Sequence, residues 1–370
     1  MNYREWFINW FKTFNPTTNE WVGSLGMHTT VENSPWHREN SVWTHTCMVV
    51  EEYLNLSPVE WTIEDLYGAL ALSFHDTGKP SAREEVVRDD GSVRVRFGGH
   101  EKISACLWRE YLVSHNDFDE IADKNQLFFP VAWMIEYHLP YDYKDKQKRE
   151  NLKATVDRLG ISNVFNNVLT ADCYGRISDD HAEKKQKVHD WIVEFSLIKP
   201  QPATTLTIKK VTLLVGPSGS GKSTYITNEC DGATVYSFDK LRLEWYSDET
   251  ITDPVQQYEQ AFRKSTQDSK FDAKSSKEFT SMIKDPNINH VVVDNTNLSA
   301  KVRRQFVAAA HQHGWKVECV LFVVPKATLI ARQHSRGDKF VREEHIERQF
   351  NAYSVPCFGD VDSVTVEVNG

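Results

Sequence analysis

The stretch that decides the fold of the second half of the chain is Gly216-Pro217-Ser218-Gly219-Ser220-Gly221-Lys222-Ser223. It reads G-x-x-x-x-G-K-[ST], follows the apolar run 211–215, and is continued by Thr224 at the start of a possible helix. A buried strand, a glycine turn and a helix N-terminus form a loop whose backbone N–H groups surround phosphates. We expect Lys222 to reach the terminal phosphates and the Ser223 hydroxyl to hold Mg²⁺. Residues 216–224 therefore predict the binding of a nucleoside triphosphate.

The composition indicates two ordinary globular domains. The chain has 370 residues, of which 40% are hydrophobic and 26% are charged, which is enough for two separate cores. The formal net charge of −9 gives no global attraction to nucleic acids or acidic membranes. Any site for a polyanion therefore has to be a local basic pocket rather than a basic face.

The cysteines and the N-terminus favour a cytoplasmic location. Six cysteines are scattered singly, without a Cys-x-x-Cys pair, which suits free thiols in a reducing compartment. Residues 1–8 carry charges within an apolar run, a pattern typical of an amphipathic helix and not of a signal peptide. No uncharged apolar run approaches the roughly 18 residues of a membrane span, so we expect no membrane partner.

Residues 1–198 have helical periodicity and are expected to form an all-α domain. Apolar residues recur at spacings of three and four, and Thr62 with Asp65 forms a capping-box pattern. Helices are expected over residues 41–54, 62–74, 101–113, 127–137, 153–159, 163–173 and 181–198. Between them, weak alternation over residues 86–97 around Asp89-Asp90-Gly91 predicts a hairpin.

The character of the sequence changes after residue 198. Pro200 and Pro202 mark residues 199–207 as a linker. Strands expected over residues 209–215, 234–237, 290–294 and 316–324 then alternate with helical stretches. This alternation predicts an α/β domain with a mainly parallel sheet over residues 208–355. Residues 356–370 are set apart as a C-terminal tail, in which residues 363–368 could form a strand of unknown placement.

Histidines and carboxylates form a second pattern, in the helical half. The residues concerned are His45, the adjacent pair His75-Asp76, His100, His138 and Asp172. Histidine combined with carboxylate suits divalent transition metals. The adjacent pair precedes Gly78, which ends the helix, so both side chains can point into one cavity. Each histidine alone is more often a surface or core residue, and the joint pattern is what predicts a metal site.

This pattern resembles the HD superfamily of metal-dependent phosphohydrolases, whose signature is H…HD…D on a helical bundle. His45, His75-Asp76 and Asp172 match the signature in order, while His100 and His138 match the extra histidines of members that bind two metals. The resemblance covers residues 25–195. It implies an HD-type hydrolase in which these six residues bind two divalent metals (Mn²⁺, Ni²⁺, Co²⁺ or Fe²⁺), with His75 and Asp76 in catalytic roles.

Other charged residues near this signature are open to two interpretations. Lys79 could offset charge on a substrate phosphate, and a solvated lysine is an equal alternative. His28, His37 and Arg38 precede the first ligand and could line the pocket, but a solvated loop is the favoured interpretation.

Two polar patterns follow strands of the α/β half. Asp239 and Arg242 follow the second strand and could place a base and a cation at one acceptor; the alternative is an i,i+3 ion pair on a helix surface. Asp294, Asn295 and Asn297 end a buried strand at the carboxyl edge of the sheet, where open α/β sheets bind ligands. Capping of the next helix is the alternative role for Asn297.

A third pattern places Arg332 and Arg336 four residues apart on one helix face, with Gly337 behind them as a hinge. Such a lid could close over the triphosphate and neutralise charge on the transferred γ-phosphoryl group. A solvated basic face is the alternative.

These patterns together resemble the phage-type polynucleotide 5′-kinases over residues 208–352. The resemblance implies that Lys222 and Ser223 serve ATP and Mg²⁺, that Asp239 is the general base, and that Arg242 holds the acceptor phosphate. Arg332 and Arg336 would contact ATP and the transferring phosphate. Kinases of small metabolites share the P-loop and the lid. The D-x-x-R pattern of Asp239 and Arg242 and the D-N-T-N pattern of residues 294–297 are therefore what distinguish a polynucleotide kinase from them.

The two halves in this order resemble bifunctional end-healing proteins that join an HD phosphohydrolase to a polynucleotide kinase. The resemblance implies that the substrates are RNA or DNA ends. The HD half would remove a 2′,3′-cyclic phosphate or 2′-phosphate, and the kinase half would phosphorylate a 5′-OH. A separate ligase would have to follow. Two alternatives stay open: a nucleotide phosphohydrolase joined to a nucleoside or small-metabolite kinase, and a regulator in which ATP binding gates the HD site. The oligomeric state is not indicated.

Overall fold

The protein, described by a computed structural model over residues 2–32, 37–143, 145–199, 209–336 and 340–369, consists of two compact units. The first comprises Met1–Gln201 and the second Pro202–Gly370. The expected linker at 199–207 lies outside the described residues except for Lys199. Among the helices described, none has both the length and the apolar character needed to cross a membrane.

The N-terminal unit is helical, as predicted, with one small hairpin. Its elements are α1 (Tyr3–Thr13), α2 (Glu20–Ser24), α3 (Val42–Leu56), α4 (Ile63–Phe74), α5 (Lys79–Ala82), β1 (Glu84–Val87), β2 (Val93–Arg96), α6 (His100–Ser114), α7 (Lys124–Glu136), the 3-10 turn Pro140–Asp142, α8 (Lys146–Leu159), α9 (Ser162–Tyr174) and α10 (His181–Ser196). β1 and β2 form the expected antiparallel hairpin. α8 begins seven residues before the predicted residue 153, because Asp145 caps it by accepting a hydrogen bond from Lys148 N.

Helix α4 is the centre of this unit. All residues from Asp65 to Phe74 are buried, and α4 packs against α3, α7 and α9. The predicted capping box is present, with the Asp65 carboxylate accepting a hydrogen bond from Thr62 N at 2.9 Å. A helix capped at one end and buried along its length holds its other end firmly. His75 and Asp76 follow directly at that end.

The C-terminal unit is an α/β domain, as predicted. Its elements are β3 (Lys210–Val215), α11 (Lys222–Glu229), β4 (Thr234–Tyr236), α12 (Phe238–Tyr246), α13 (Pro254–Gln267), α14 (Phe271–Lys284), β5 (His290–Val293), α15 (Ala300–Gln312), β6 (Lys316–Val323), α16 (Lys326–His334), α17 (Glu343–Asn351) and β7 (Ser363–Val368). The five strands form one parallel sheet in the order β4-β5-β3-β6-β7. The carboxyl ends of β4, β5 and β3 are therefore neighbours, and the loops that follow them meet at one edge.

Strand β7 lies in the segment that we set apart as a tail. It pairs in parallel with β6 from Glu318 opposite Ser363 to Val323 opposite Val368. The sheet therefore extends beyond residue 355 and includes residues 363–368 of the segment 356–370. Alternation indicated a strand here, but its neighbour depends on a pairing that is distant in sequence.

Candidate active sites

Three histidine rings of the N-terminal unit are oriented by the same backbone contact. In each, Nδ1 lies within hydrogen-bonding distance of the carbonyl oxygen three residues earlier: His75 to Leu72 (2.6 Å), His100 to Phe97 (2.8 Å) and His138 to Ile135 (2.7 Å). A carbonyl oxygen only accepts, so Nδ1 carries the proton in this contact. Nε2 of each ring is then left for a ligand, as in metal-binding histidines.

Asp76 lies between two sets of histidines. Its Oδ2 is 3.1 Å from His75 Nε2 and 3.5 Å from His45 Nε2, whereas Oδ1 is 3.2 Å from His100 Nε2. Ligand atoms of His45, His75 and Asp76 lie within 4.8 Å of one another, as do those of Asp76, His100 and His138. Asp76 therefore belongs to both sets, and through it the two sets form one continuous cluster.

Asp172 completes the first of the two sets. Its Oδ1 lies 3.2 Å from His45 Nε2 and 3.6 Å from His75 Nε2. Burial alone would raise its pKa, but Arg176 and the contacts with the two histidines hold the pKa of the carboxyl well below its usual range. The structure therefore brings together all six residues of the predicted set, which we call the histidine–aspartate cluster.

The donor atoms of the cluster fit metal ions. His75 Nε2 and His100 Nε2 are buried and make no hydrogen bond of acceptable geometry with any residue that the structure describes. Burial lowers the pKa of His138 to about 3, and the neighbouring His75 and His100 lower it as well, so this ring is neutral and its Nε2 can donate to a cation. Buried nitrogens that make no hydrogen bond are costly, and a bound cation would satisfy them.

The charge balance favours cations too. Four buried carboxylates lie in or next to the cluster: Asp76 and Asp172 belong to it, and Glu32 and Glu39 lie beside it. Among the residues described, the buried cationic partners of these groups are Lys79 and Arg176. Metal ligation requires neutral imidazoles, and with neutral rings the four carboxylates outnumber the two cationic side chains. That excess of negative charge, together with imidazole nitrogen donors, suits divalent transition metals.

Lys79 is neither solvated nor directed at open space, so the solvated alternative is wrong. Its side chain is buried, and Nζ lies 2.7 Å from Asp76 Oδ2 and 2.8 Å from Glu32 Oε1. Because Lys79 follows Asp76 by one helical turn, its ammonium reaches back to that carboxylate. Contact with a substrate phosphate stays a prediction.

Sequence reasoning missed the second layer around the cluster. Glu39 Oε1 lies 3.0 Å from His45 Nδ1 and 2.8 Å from His37 Nδ1, while Oε2 accepts a hydrogen bond from Ile177 N. His37 is therefore held against the cluster, and its assignment to a solvated loop was wrong. The ion pair between Arg176 and Asp172 could have been predicted, because the two residues are four apart in a helical stretch. Glu39 could not, because it lies in a loop whose path the sequence does not indicate.

In the C-terminal unit, the glycine-rich loop has the backbone that its sequence predicts. Gly219 (φ 84°) and Gly221 (φ 100°) adopt left-handed conformations that favour glycine. Gly221 is the N-cap of α11, which begins at Lys222. Lys222 Nζ lies over the loop and donates to the carbonyl oxygens of Gly216 (2.9 Å) and Pro217 (2.7 Å).

Donor-side and acceptor-side residues line one cavity of about 1190 Å³. The predicted site residues along its wall are Ser218, Gly219, Ser220, Gly221, Lys222, Ser223, Thr224, Asp239, Arg242, Asp294, Asn295, Arg332 and Arg336. This volume exceeds the usual range of about 300–1,000 Å³ for a single small-molecule site. It therefore has room for a triphosphate with part of an acceptor beside it.

Asp239 and Arg242 form an ion pair on the cavity wall. Arg242 Nη1 donates to Asp239 Oδ1 at 2.9 Å, and the Tyr258 hydroxyl donates to the same oxygen at 2.8 Å. Arg242 Nε donates to Ser265 Oγ, and its guanidinium carbon lies 4.8 Å from the ring centre of Phe262. The i,i+3 pair of the alternative interpretation is present, but it faces the cavity.

The polar residues that follow β5 have different roles. Asp294 and Asn295 line the cavity, and Asn295 Oδ1 accepts a hydrogen bond from Phe238 N at the start of α12. Asn297 is fully buried; its Nδ2 donates to Leu214 O and Val293 O, and it does not line the cavity. Its prediction as a substrate ligand is therefore corrected: it ties the ends of β3 and β5 together.

Capping of α15 also falls to another residue than Asn297. Ser299 Oγ accepts a hydrogen bond from Val302 N in the first turn of that helix. The alternative role for Asn297 is therefore wrong as well.

Both predicted lid arginines reach the cavity. Arg332 Nη1 donates to Gly219 O at 3.1 Å from α16, and Arg336 lines the cavity just beyond that helix. Gly337, the expected hinge, lies outside the described residues. Two glutamines that we did not predict also hold the loop: Gln333 donates to Ser218 O (3.0 Å), and Gln349 accepts from Ser218 N (2.8 Å).

Comparison with known proteins agrees with this geometry for the second unit. Residues 211–356, about two fifths of the chain, match a family model described as an AAA domain. No curated protein matches the chain. The C-terminal unit therefore has a P-loop domain with a kinase-like fold, and such a domain implies the use of ATP and Mg²⁺.

Proposed function

We propose that the protein prepares both ends of a broken RNA strand. The C-terminal unit transfers the γ-phosphoryl group of ATP to a polynucleotide 5′-OH, and the N-terminal unit is an HD phosphohydrolase that hydrolyses a terminal 2′,3′-cyclic phosphate or 2′-phosphate. The observation that carries the kinase half is the single cavity shared by Lys222, Asp239 and Arg242. A separate ligase would seal the strand.

The kinase residues divide into a donor side and an acceptor side. The hydroxyl oxygen of the acceptor forms a bond to the γ-phosphorus, and Asp239 accepts the proton of that hydroxyl. The bond between the γ-phosphorus and the β,γ-bridging oxygen breaks, and ADP is the leaving group. Lys222, Arg332 and Arg336 offset the charge on the transferring group. Ser223, at the start of α11, would hold the Mg²⁺ that accompanies the nucleotide.

The hydrolase residues follow from the two sets that share Asp76. His45, His75 and Asp172 would hold one cation, His100 and His138 would hold the other, and Asp76 lies within reach of both. Two divalent metals bound there would supply Lewis-acid polarisation of the phosphate and a bound water of lowered pKa. The protein orients the imidazoles through their Nδ1 contacts and keeps the carboxylates ionised.

The acidic net charge fits a substrate that is held only at its end. Arg242, on the cavity wall, can hold one phosphate locally. Few phosphate contacts give a shallow dependence of affinity on salt.

The test is an end-group assay with labelled ATP, Mg²⁺ and a 5′-OH RNA oligonucleotide, and with cyclic-phosphate RNA over a panel of divalent metals. We expect label on the 5′ end and metal-dependent opening of the cyclic phosphate. Label on a nucleoside instead would favour a small-metabolite kinase. Slow ATP hydrolysis without transfer to any acceptor would favour a regulator.

A further inference from the structure

Helix α13 presents three side chains to the ion pair of Asp239 and Arg242. Tyr258, Phe262 and Ser265 are spaced at i, i+4 and i+7 and therefore share one helix face. Each of them contacts the pair formed by Asp239 and Arg242: the tyrosine bonds to the carboxylate, and the other two contact the guanidinium. No sequence pattern for this helix had pointed to the site.

We propose that Tyr258 is the residue that positions the general base Asp239 for phosphoryl transfer. The inference rests on the proposed kinase activity and goes beyond it. Tyr258 and Arg242 donate to the same oxygen, Oδ1, from two different helices. Two donors from different directions fix the rotation of a carboxylate better than one, so the base faces the acceptor hydroxyl in a single orientation.

Tyr258 also stabilises the charged form of the base. Burial raises the pKa of the Tyr258 hydroxyl above its ordinary value, and the neighbouring Asp239 raises it too, so the hydroxyl stays a donor. A hydrogen bond to a carboxylate favours its ionised form. During transfer the acceptor proton passes to Asp239, ADP leaves, and Tyr258 keeps its own proton.

Other charged groups of the cavity act on Asp239 in the same way in wild type and variant. Among the described residues that line the cavity, they are Lys222, Glu229, Arg242, Glu259, Asp294, Arg332, Arg336, Arg342, His345 and Glu367. A change confined to the Tyr258 hydroxyl therefore isolates its contribution.

The experiment compares the pH dependence of kcat/KM for wild type and Tyr258→Phe. Loss of the hydrogen bond should raise the pKa of Asp239, so the acidic limb should move upward by about one pH unit. At pH values below the acidic limb of both profiles, kcat/KM of Tyr258→Phe should therefore be about tenfold lower than that of wild type. The matched control is Tyr246→Phe, which removes a Tyr–Asp hydrogen bond (2.6 Å to Asp268) on α12 away from the cavity; its limb should not move.

Binding of ATP separates positioning from folding. Tyr258 contacts the acceptor side, so the affinity of Tyr258→Phe for ATP should stay within about twofold of wild type. An unchanged limb in this variant would overturn the proposal, and so would equal losses of rate and ATP affinity. If the acceptor proves to be a nucleoside, the end-repair function fails, and the same pH comparison with that acceptor still tests Tyr258.

Discussion

Asp76 is the residue on which both halves of the histidine–aspartate cluster depend. Its two oxygens face different histidines, and Lys79 holds Oδ2 from the following turn. Glu39 lies outside the cluster and likewise contacts two histidines, His37 and His45. Single carboxylates of this kind decide whether a set of histidines can hold a cation.

Substitution of Glu39 by glutamine should weaken metal binding. Glutamine keeps the shape but removes the charge that orients and polarises His45, and second-layer changes of this kind typically cost about 10–100-fold in metal affinity. Competition titration with a metal-sensitive dye measures the affinity directly. Glu51→Gln, at an exposed position of α3, is the control. Wild-type affinity in Glu39→Gln would show that the carboxylate has no orienting role.

The ligand residues could be predicted from sequence, whereas their partners could not. His45, His75-Asp76 and Asp172 match an ordered pattern that can be recognised in the sequence alone. Glu39 reaches His45 only because the loop before α3 folds back, and Tyr258 reaches Asp239 only because α13 packs on α12. Such contacts depend on tertiary packing, which local patterns do not encode.

At the scale of elements, the segments that follow β3, β4 and β5 line the cavity of the C-terminal unit. Asn297 joins two of these ends through hydrogen bonds to Leu214 O and Val293 O, in a left-handed backbone conformation (φ 46°). The sequence indicated the strand and the polar residues behind it. It could not show which of those residues turns inward to the sheet and which faces the cavity.

Replacement of Asn297 by alanine should therefore destabilise the C-terminal unit. Two buried carbonyl groups lose a donor, at a cost of about 1–3 kcal/mol. Denaturant unfolding measures the loss, and Asn287→Ala, at an exposed position, should change stability by less than about 0.5 kcal/mol. If Asn297→Ala instead kept full stability and lost affinity for the acceptor, Asn297 would be a substrate ligand after all.

Strand β7 gives a second prediction at this scale. A chain ending at Asp362 lacks β7 and leaves β6 without its parallel neighbour. Exposed strand edges are prone to association, so we expect loss of ATP binding and aggregation on heating, seen by light scattering. A chain ending at Asn369 is the control. A stable, ATP-binding protein ending at Asp362 would restore the interpretation of residues 356–370 as a tail.

At the scale of the whole molecule, the chain has two compact units with a chemically different site in each. The change from helical periodicity to alternating strands and helices predicted this division, and the chain length of 370 residues indicated two domains. The N-terminal centre offers imidazole and carboxylate ligands for cations, while the C-terminal cavity offers backbone amides and arginines for phosphates. Each site consists of residues of one unit, so each activity should be lost separately.

The most direct measurement follows both ends of one RNA strand that carries a 5′-OH and a 2′,3′-cyclic phosphate. Wild type with ATP, Mg²⁺ and a transition metal should convert both ends. Asp239→Asn should lose only 5′ phosphorylation, and Asp76→Asn should lose only opening of the cyclic phosphate. Failure of the wild type to modify either end, or loss of both activities in each folded variant, would contradict the account.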